Sequence, residues 1–67
     1  MLTITINGHN KTLPAPLPLS ELLKKSCSAK QHVIAEVNGR IVKSPEWPAF
    51  TIKNGDRVEL VTIVGGG

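Results

Sequence analysis

Residues 19–42 read LSELLKKSCSAKQHVIAEVNGRIV, and the change of hydrophobic period inside this stretch decides the fold. Leu19, Leu22, Leu23 and Cys27 fall on one face of a helix, while Glu21, Lys24 and Lys25 fall on the other. Ser20 offers a capping hydroxyl, and Pro18 just ahead of it leaves the start of the helix open by a residue or two. The period then drops to two: Val33, Ala35 and Val37 alternate with Ile34, Glu36 and Asn38. Asn38 and Gly39 tolerate the positive φ of a two-residue hairpin and lead into Ile41 and Val42. A helix followed by a hairpin is therefore expected at the centre of the chain.

Towards the N-terminus, Leu2, Ile4 and Ile6 alternate with Thr3, Thr5 and Asn7, the pattern of a strand with one buried face. Asn7 and Gly8 supply the turn, which is expected to hold His9, and Lys11 to Leu13 form the return arm, ended by Pro14, Pro16 and Pro18. Towards the C-terminus, Pro45 and Pro48 make Ser44 to Phe50 an irregular crossing segment, with Trp47 and Phe50 covering a core edge. Asn54 and Gly55 make the last turn, and Val58 to Val64 the last strand.

Two hairpins around a helix, with apolar first and last strands, suit an α+β fold in which the terminal strands pair in parallel and the helix crosses one face. That is the β-grasp, ubiquitin-like arrangement: a mixed sheet of four to five strands with one main helix. The expected organisation is a domain over residues 1–64 and a flexible glycine tail over 65–67.

The chain has 67 residues, and a domain of this size buries only about 60% of the surface its unfolded chain exposes, which leaves no room for an enclosed active site. Hydrophobic residues at 40% and charged residues at 19% lie in the ordinary globular range. The apolar runs are too short for a signal peptide or a membrane span. Cys27 is the single cysteine, so no internal disulfide forms, and a reducing cytoplasmic compartment fits. The net charge is +3, but the eight Lys and Arg are dispersed and only Lys24 and Lys25 are adjacent. With Trp47 and Phe50 as the sole aromatics, the stripe and the stacking platforms of a nucleic-acid binder are both missing.

No catalytic constellation stands out among the polar residues. Cys27 with His32 would be the one nucleophile and base pair, but Cys27 projects from the apolar helical face, where a small buried thiol is the commoner state. His9 and His32 have no ligand partners nearby in sequence, so no metal site is expected. Asp56, after the Asn54–Gly55 turn, is placed to accept bonds from local backbone N–H groups.

Gly65, Gly66 and Gly67 follow the last strand. In isolation they fit a frayed chain end as well as a reactive tail. As a tail, they put the α-carboxylate of Gly67 on a tether without side chains, reaching roughly 13 Å from Val64 and able to pass through a narrow slot. A carboxylate is a poor acyl donor until it is converted to a mixed anhydride such as an acyl-adenylate. No glycine run here leads into a helix with a phosphate-binding Lys and Ser or Thr, so a partner must bind the ATP and supply that activation.

Taken together, Ile4–Gly8, Leu19–Leu23, Val37–Gly39, Val42, Trp47, Asn54–Val61 (NGDRVELV) and Val64–Gly67 (VGGG) resemble the sulfur carrier family of thiamine biosynthesis, ThiS, nearly end to end. The order of residues around Val42 and Lys43 departs from the family's frequent pattern, as does Pro18 at a common cap position; neither touches the tail. The resemblance implies a protein cosubstrate rather than an enzyme, monomeric when free and binding no cofactor itself. A ThiF-type, E1-like enzyme would adenylate Gly67 with ATP, and sulfur from a donor such as a cysteine desulfurase persulfide would replace the adenylate to leave a thiocarboxylate. A ThiG-type thiazole synthase would receive the sulfur, with Gly65 and Gly66 threading the tail into the partner's active site.

The sheet pattern adds an expectation about docking. If Val33, Ala35 and Val37 face the helix, then Ile34, Val61 and Ile63 line the opposite face as an apolar patch for a partner, unless the segment around Trp47 covers them. Rival readings of the whole are a molybdopterin-synthase type of sulfur carrier, with the same fold and tail, and a ubiquitin-like modifier or interaction module.

Overall fold

The computed structural model describes residues 1–26 and 32–63. Its first element is a hairpin of β1 (Leu2–Ile6) and β2 (His9–Leu13), joined through Asn7 and Gly8 at φ 51° and 83°. Positive φ at both turn residues matches the twist of the flanking strands, and Asn followed by Gly adopts it at least cost. The turn is two residues long, so His9 begins β2 rather than lying in the turn.

After the prolines come a two-residue strand, β3 (Leu17–Pro18), and the helix α1 (Leu19–Ser26). Leu19 and Leu22 are fully buried and Leu23 nearly so, which confirms the helical face set by their spacing. Ser20 lies inside the first turn instead of capping it. The N–H of Leu19 donates to the carbonyl of Phe50 at 2.7 Å, so a distant segment satisfies a donor that a side-chain cap would otherwise take.

A second hairpin follows, β4 (His32–Val37) and β5 (Arg40–Val42), again turning on Asn and Gly, with Asn38 at φ 54° and Gly39 at 83°. The crossing segment Ser44–Ala49 is a 3-10 helix with a proline in its first turn and Pro48 inside it. It packs against α1. Trp47 donates its indole N–H to the Val42 carbonyl at 2.7 Å, and the rings of Trp47 and Phe50 rest half-buried on the core. Then β6 (Thr51–Ile52) pairs with β3 in a small separate sheet, and β7 (Arg57–Ile63) closes the chain's main sheet. Residue 64, expected in the last strand, lies outside the described residues, as do Cys27 and Gly65–Gly67.

The main sheet has the order β2-β1-β7-β4-β5, with β1 and β7 parallel and the other pairs antiparallel. This is the expected α+β β-grasp: a five-stranded mixed sheet with terminal strands side by side and one main helix on one face. Leu2, Ile4, Leu13, Ala35, Val37, Val42 and Val58 point to that helix and are buried with its leucines and Ile52. Each alternates along its strand with outward residues, as a sheet buried on one face requires.

Candidate functional site

The residues of interest gather on β7 and its neighbour β4, because β7 leads to the glycines. Two asparagines bond to β7 itself, and a third ties the turn before it to β1. Asn38 accepts a hydrogen bond from the Arg57 N–H at 2.9 Å through Oδ1 and donates through Nδ2 to Asp56 at 3.0 Å. Asn7 accepts from the Leu60 N–H at 2.8 Å, and Asn54 accepts from the Thr3 N–H at 2.8 Å. Asp56 also accepts from the Lys53 N–H at 2.8 Å, the structural role its turn position implied. Asn residues thus use their backbone to turn the chain and their amides to tie the turns to strands far away in sequence.

The face of the sheet opposite α1 is open among the described residues. Ile34 and Val61 stand directly opposite each other in the β4–β7 register and remain 38% and 51% exposed. The segment around Trp47 lies on the helix side, so it leaves them uncovered. Ile63 continues the same alternation in β7, opposite His32, but the side chains of both residues lie outside the described ones. The pairing of Cys27 with His32 considered from the sequence lies outside the described residues.

Sequence reasoning missed two further features of this face. Ile41, 59% exposed, pairs with Glu36 across the second hairpin, and the hairpin register implied by Asn38–Gly39 contained that signal. Glu36 also faces Glu59 directly across β4 and β7, a like-charge pair that disfavours the sheet. The open face thus carries an acidic pair with Arg57 beside it, bordered by Ile34, Val61 and Ile41.

The side of the molecule bearing Arg40, Lys43, Glu46 and Phe50 carries a shallow groove open to solvent. No group of three or more His, Cys, Asp and Glu among the described residues could hold a metal ion. No buried polar side chain is left without a partner among them, and no described helix is long and apolar enough to cross a membrane. The described surface offers faces and edges for contact. The chemistry expected from the sequence falls on Gly67.

Comparison with known proteins bears on that expectation. The ThiS family model matches residues 4–67. The crystal structure of a thiamine biosynthesis protein (ThiS) from Geobacter metallireducens superposes with a TM-score of 0.82 at 33% identity, covering 98% of this chain and all of that one. An uncharacterized protein, ycf40 of Trieres chinensis, is 34% identical over 65 residues, 97% of this chain and 89% of its own. A thiazole synthase of Paramagnetospirillum magneticum is 27% identical over 66 residues, which are 98% of this chain but only 20% of that protein. The chain belongs to the ThiS family.

Proposed function

We propose that this protein carries sulfur for thiamine biosynthesis on the α-carboxylate of Gly67. The observation that supports the reading most is the span of the family match, which runs across the β-grasp domain and through the three glycines to residue 67. In this reading a ThiF-type enzyme attacks ATP with the Gly67 carboxylate, forming the acyl-adenylate and releasing pyrophosphate. The terminal sulfur of a persulfide donor then displaces AMP to give an acyl disulfide. A partner thiol attacks the donor's sulfur in that bond, forming a disulfide with it, and releases the thiocarboxylate, which passes its sulfur to a ThiG-type thiazole synthase. The carrier contributes no catalytic group. It contributes an acyl group, a tether formed by Gly65 and Gly66 that lets partner backbone approach closely, and surfaces that the enzymes grip.

The docking patch belongs to the same proposal. Ile34 and Val61, side by side and exposed on the open sheet face, form an apolar area on the strand that precedes the glycines in sequence, and the sequence alternation adds Ile63 to it as an expectation. Contact there would hold the domain while the tail reaches onward.

One added residue after Gly67 tests the assignment of the reacting group. The extended chain is expected to keep its thermal stability, because chain ends beyond the core contribute little, and to lose adenylation by the partner, read as ATP–pyrophosphate exchange. Undiminished exchange would show that Gly67 is not the acceptor.

A further inference from the structure

We propose that the free edge of β7 beside Thr62 pairs with an extended segment of a thiazole synthase, so that the partner's backbone continues the sheet where β1 stops. The inference rests on the carrier reading above and adds the mode of grip.

The observation is a mismatch in strand length around β7. On one side β4 accompanies it from Val58 to Ile63. On the other side β1 pairs with it only at Arg57 and Val58, and the backbone contact ends with the Asn7 N–H donating to the Val58 carbonyl at 2.9 Å. The Leu60 N–H is then taken by the Asn7 side chain, which acts as one more rung after the strand has turned away. Successive residues of a strand direct their backbone groups to alternate sides. The groups of Val58 and Leu60 point towards β1, so those of Thr62 point the same way. Among the described residues nothing bonds the Leu60 carbonyl or the Thr62 N–H and carbonyl on that side.

A row of unpaired N–H and C=O groups is a template for another strand. This one is short, as protected edges are, and it lies on the strand that runs into the tail. The partner whose active site receives the tail is therefore the chain best placed to use it. A thiazole synthase is favoured as the occupant because one such protein carries a region matching 98% of this chain within its own polypeptide. A β-strand laid there would place alternate side chains on the open face beside Val61, half-exposed and apolar, so the strand should present apolar residues to that side.

Thr62→Pro is the direct test. It removes an N–H that β4 does not use, and the preceding Val61 already has the extended conformation that a following proline prefers. The variant is expected to keep its melting temperature within a few degrees and to bind a purified ThiG-type thiazole synthase about tenfold more weakly, since the bond is lost and the ring occupies the partner's place. Thr62→Val, which changes only the side chain, should bind within about twofold of the parent. A folded Thr62→Pro that binds as the parent does overturns the proposal. If that variant does not fold, hydrogen exchange of the parent chain decides: the Thr62 amide should slow at least about tenfold in the complex, and an unchanged rate in a formed complex overturns the edge while leaving the carrier reading intact. A parent chain, sulfur-loaded at Gly67, that binds no synthase overturns both the edge and the assigned partner. A sedimentation result showing two copies paired through Thr62 assigns the edge to self-association and also overturns the proposal.

Discussion

Replacing Asn38 by glycine and by alanine separates two contributions that the structure assigns to one residue. Asn38 sits at φ 54°, and its amide both receives the Arg57 N–H and donates to Asp56. Either substitution removes the two exposed hydrogen bonds, which contribute about 0.5–1 kcal/mol each. Glycine accepts the positive φ freely but adds about 0.5 kcal/mol of backbone entropy to the unfolded chain, for a total loss of about 2 kcal/mol. Alanine keeps the Cβ in the left-handed region but loses the local hydrogen bonding by which asparagine tolerates it, which places it about 1 kcal/mol below the glycine variant, for a total loss of about 3 kcal/mol. In a domain of this size each kcal/mol moves the melting temperature by roughly 4–8 °C, so both variants should be resolved easily by urea and thermal melts followed by circular dichroism. Equal stability of the two variants would refute the conformational part of the argument. Losses below about 0.5 kcal/mol in both would refute the hydrogen-bond part, since they would fall within the range of neutral surface changes.

Two other substitutions address the open face. Glu59→Lys turns the like-charge pair with Glu36 into an opposite-charge pair and should raise stability by about 0.5–1 kcal/mol, with the gain shrinking as salt is added; an unchanged melt at low salt contradicts it. Val61→Asp changes a half-exposed side chain, so the fold should survive with a loss under about 1 kcal/mol, while loading by the ThiF-type enzyme should fall through a raised KM. A folded Val61→Asp chain that is loaded at the parental rate would remove the patch from the docking surface.

The parts of this fold that were legible in the sequence are those fixed by local chemistry. Asn7–Gly8 and Asn38–Gly39 announced their hairpins because few other pairs accept two successive positive φ values. Leu19, Leu22 and Leu23 announced the helix because their spacing places them on one face, and all three are buried. The short pair β3 and β6 was not legible. Two residues carry no periodicity, one of them is Pro18, and their pairing exists only because the chain crosses back 35 positions later, as in Leu17 with Ile52. The same holds for the helix start, where Phe50 rather than Ser20 meets the first N–H, and for the Asn7 rung on β7, whose partner lies 53 residues away. Of the candidate site, the outward alternation of Ile34 and Val61 was legible. The Glu36–Glu59 pairing was not, because it depends on the register between strands that no local signal sets. Gly65 to Gly67 were legible only through resemblance, since three glycines have one composition whether they react or fray.

The central claim is that Gly67 carries sulfur. Intact-mass spectrometry of the chain, isolated from sulfur-replete cells that contain the matching ThiF-type enzyme and sulfur donor, tests it most directly. The account predicts a population heavier by the difference between one sulfur and one oxygen, with fragment ions confining the change to the residue at position 67. A chain found only with its unmodified carboxylate, or joined through that terminus to lysines of other proteins, would contradict it.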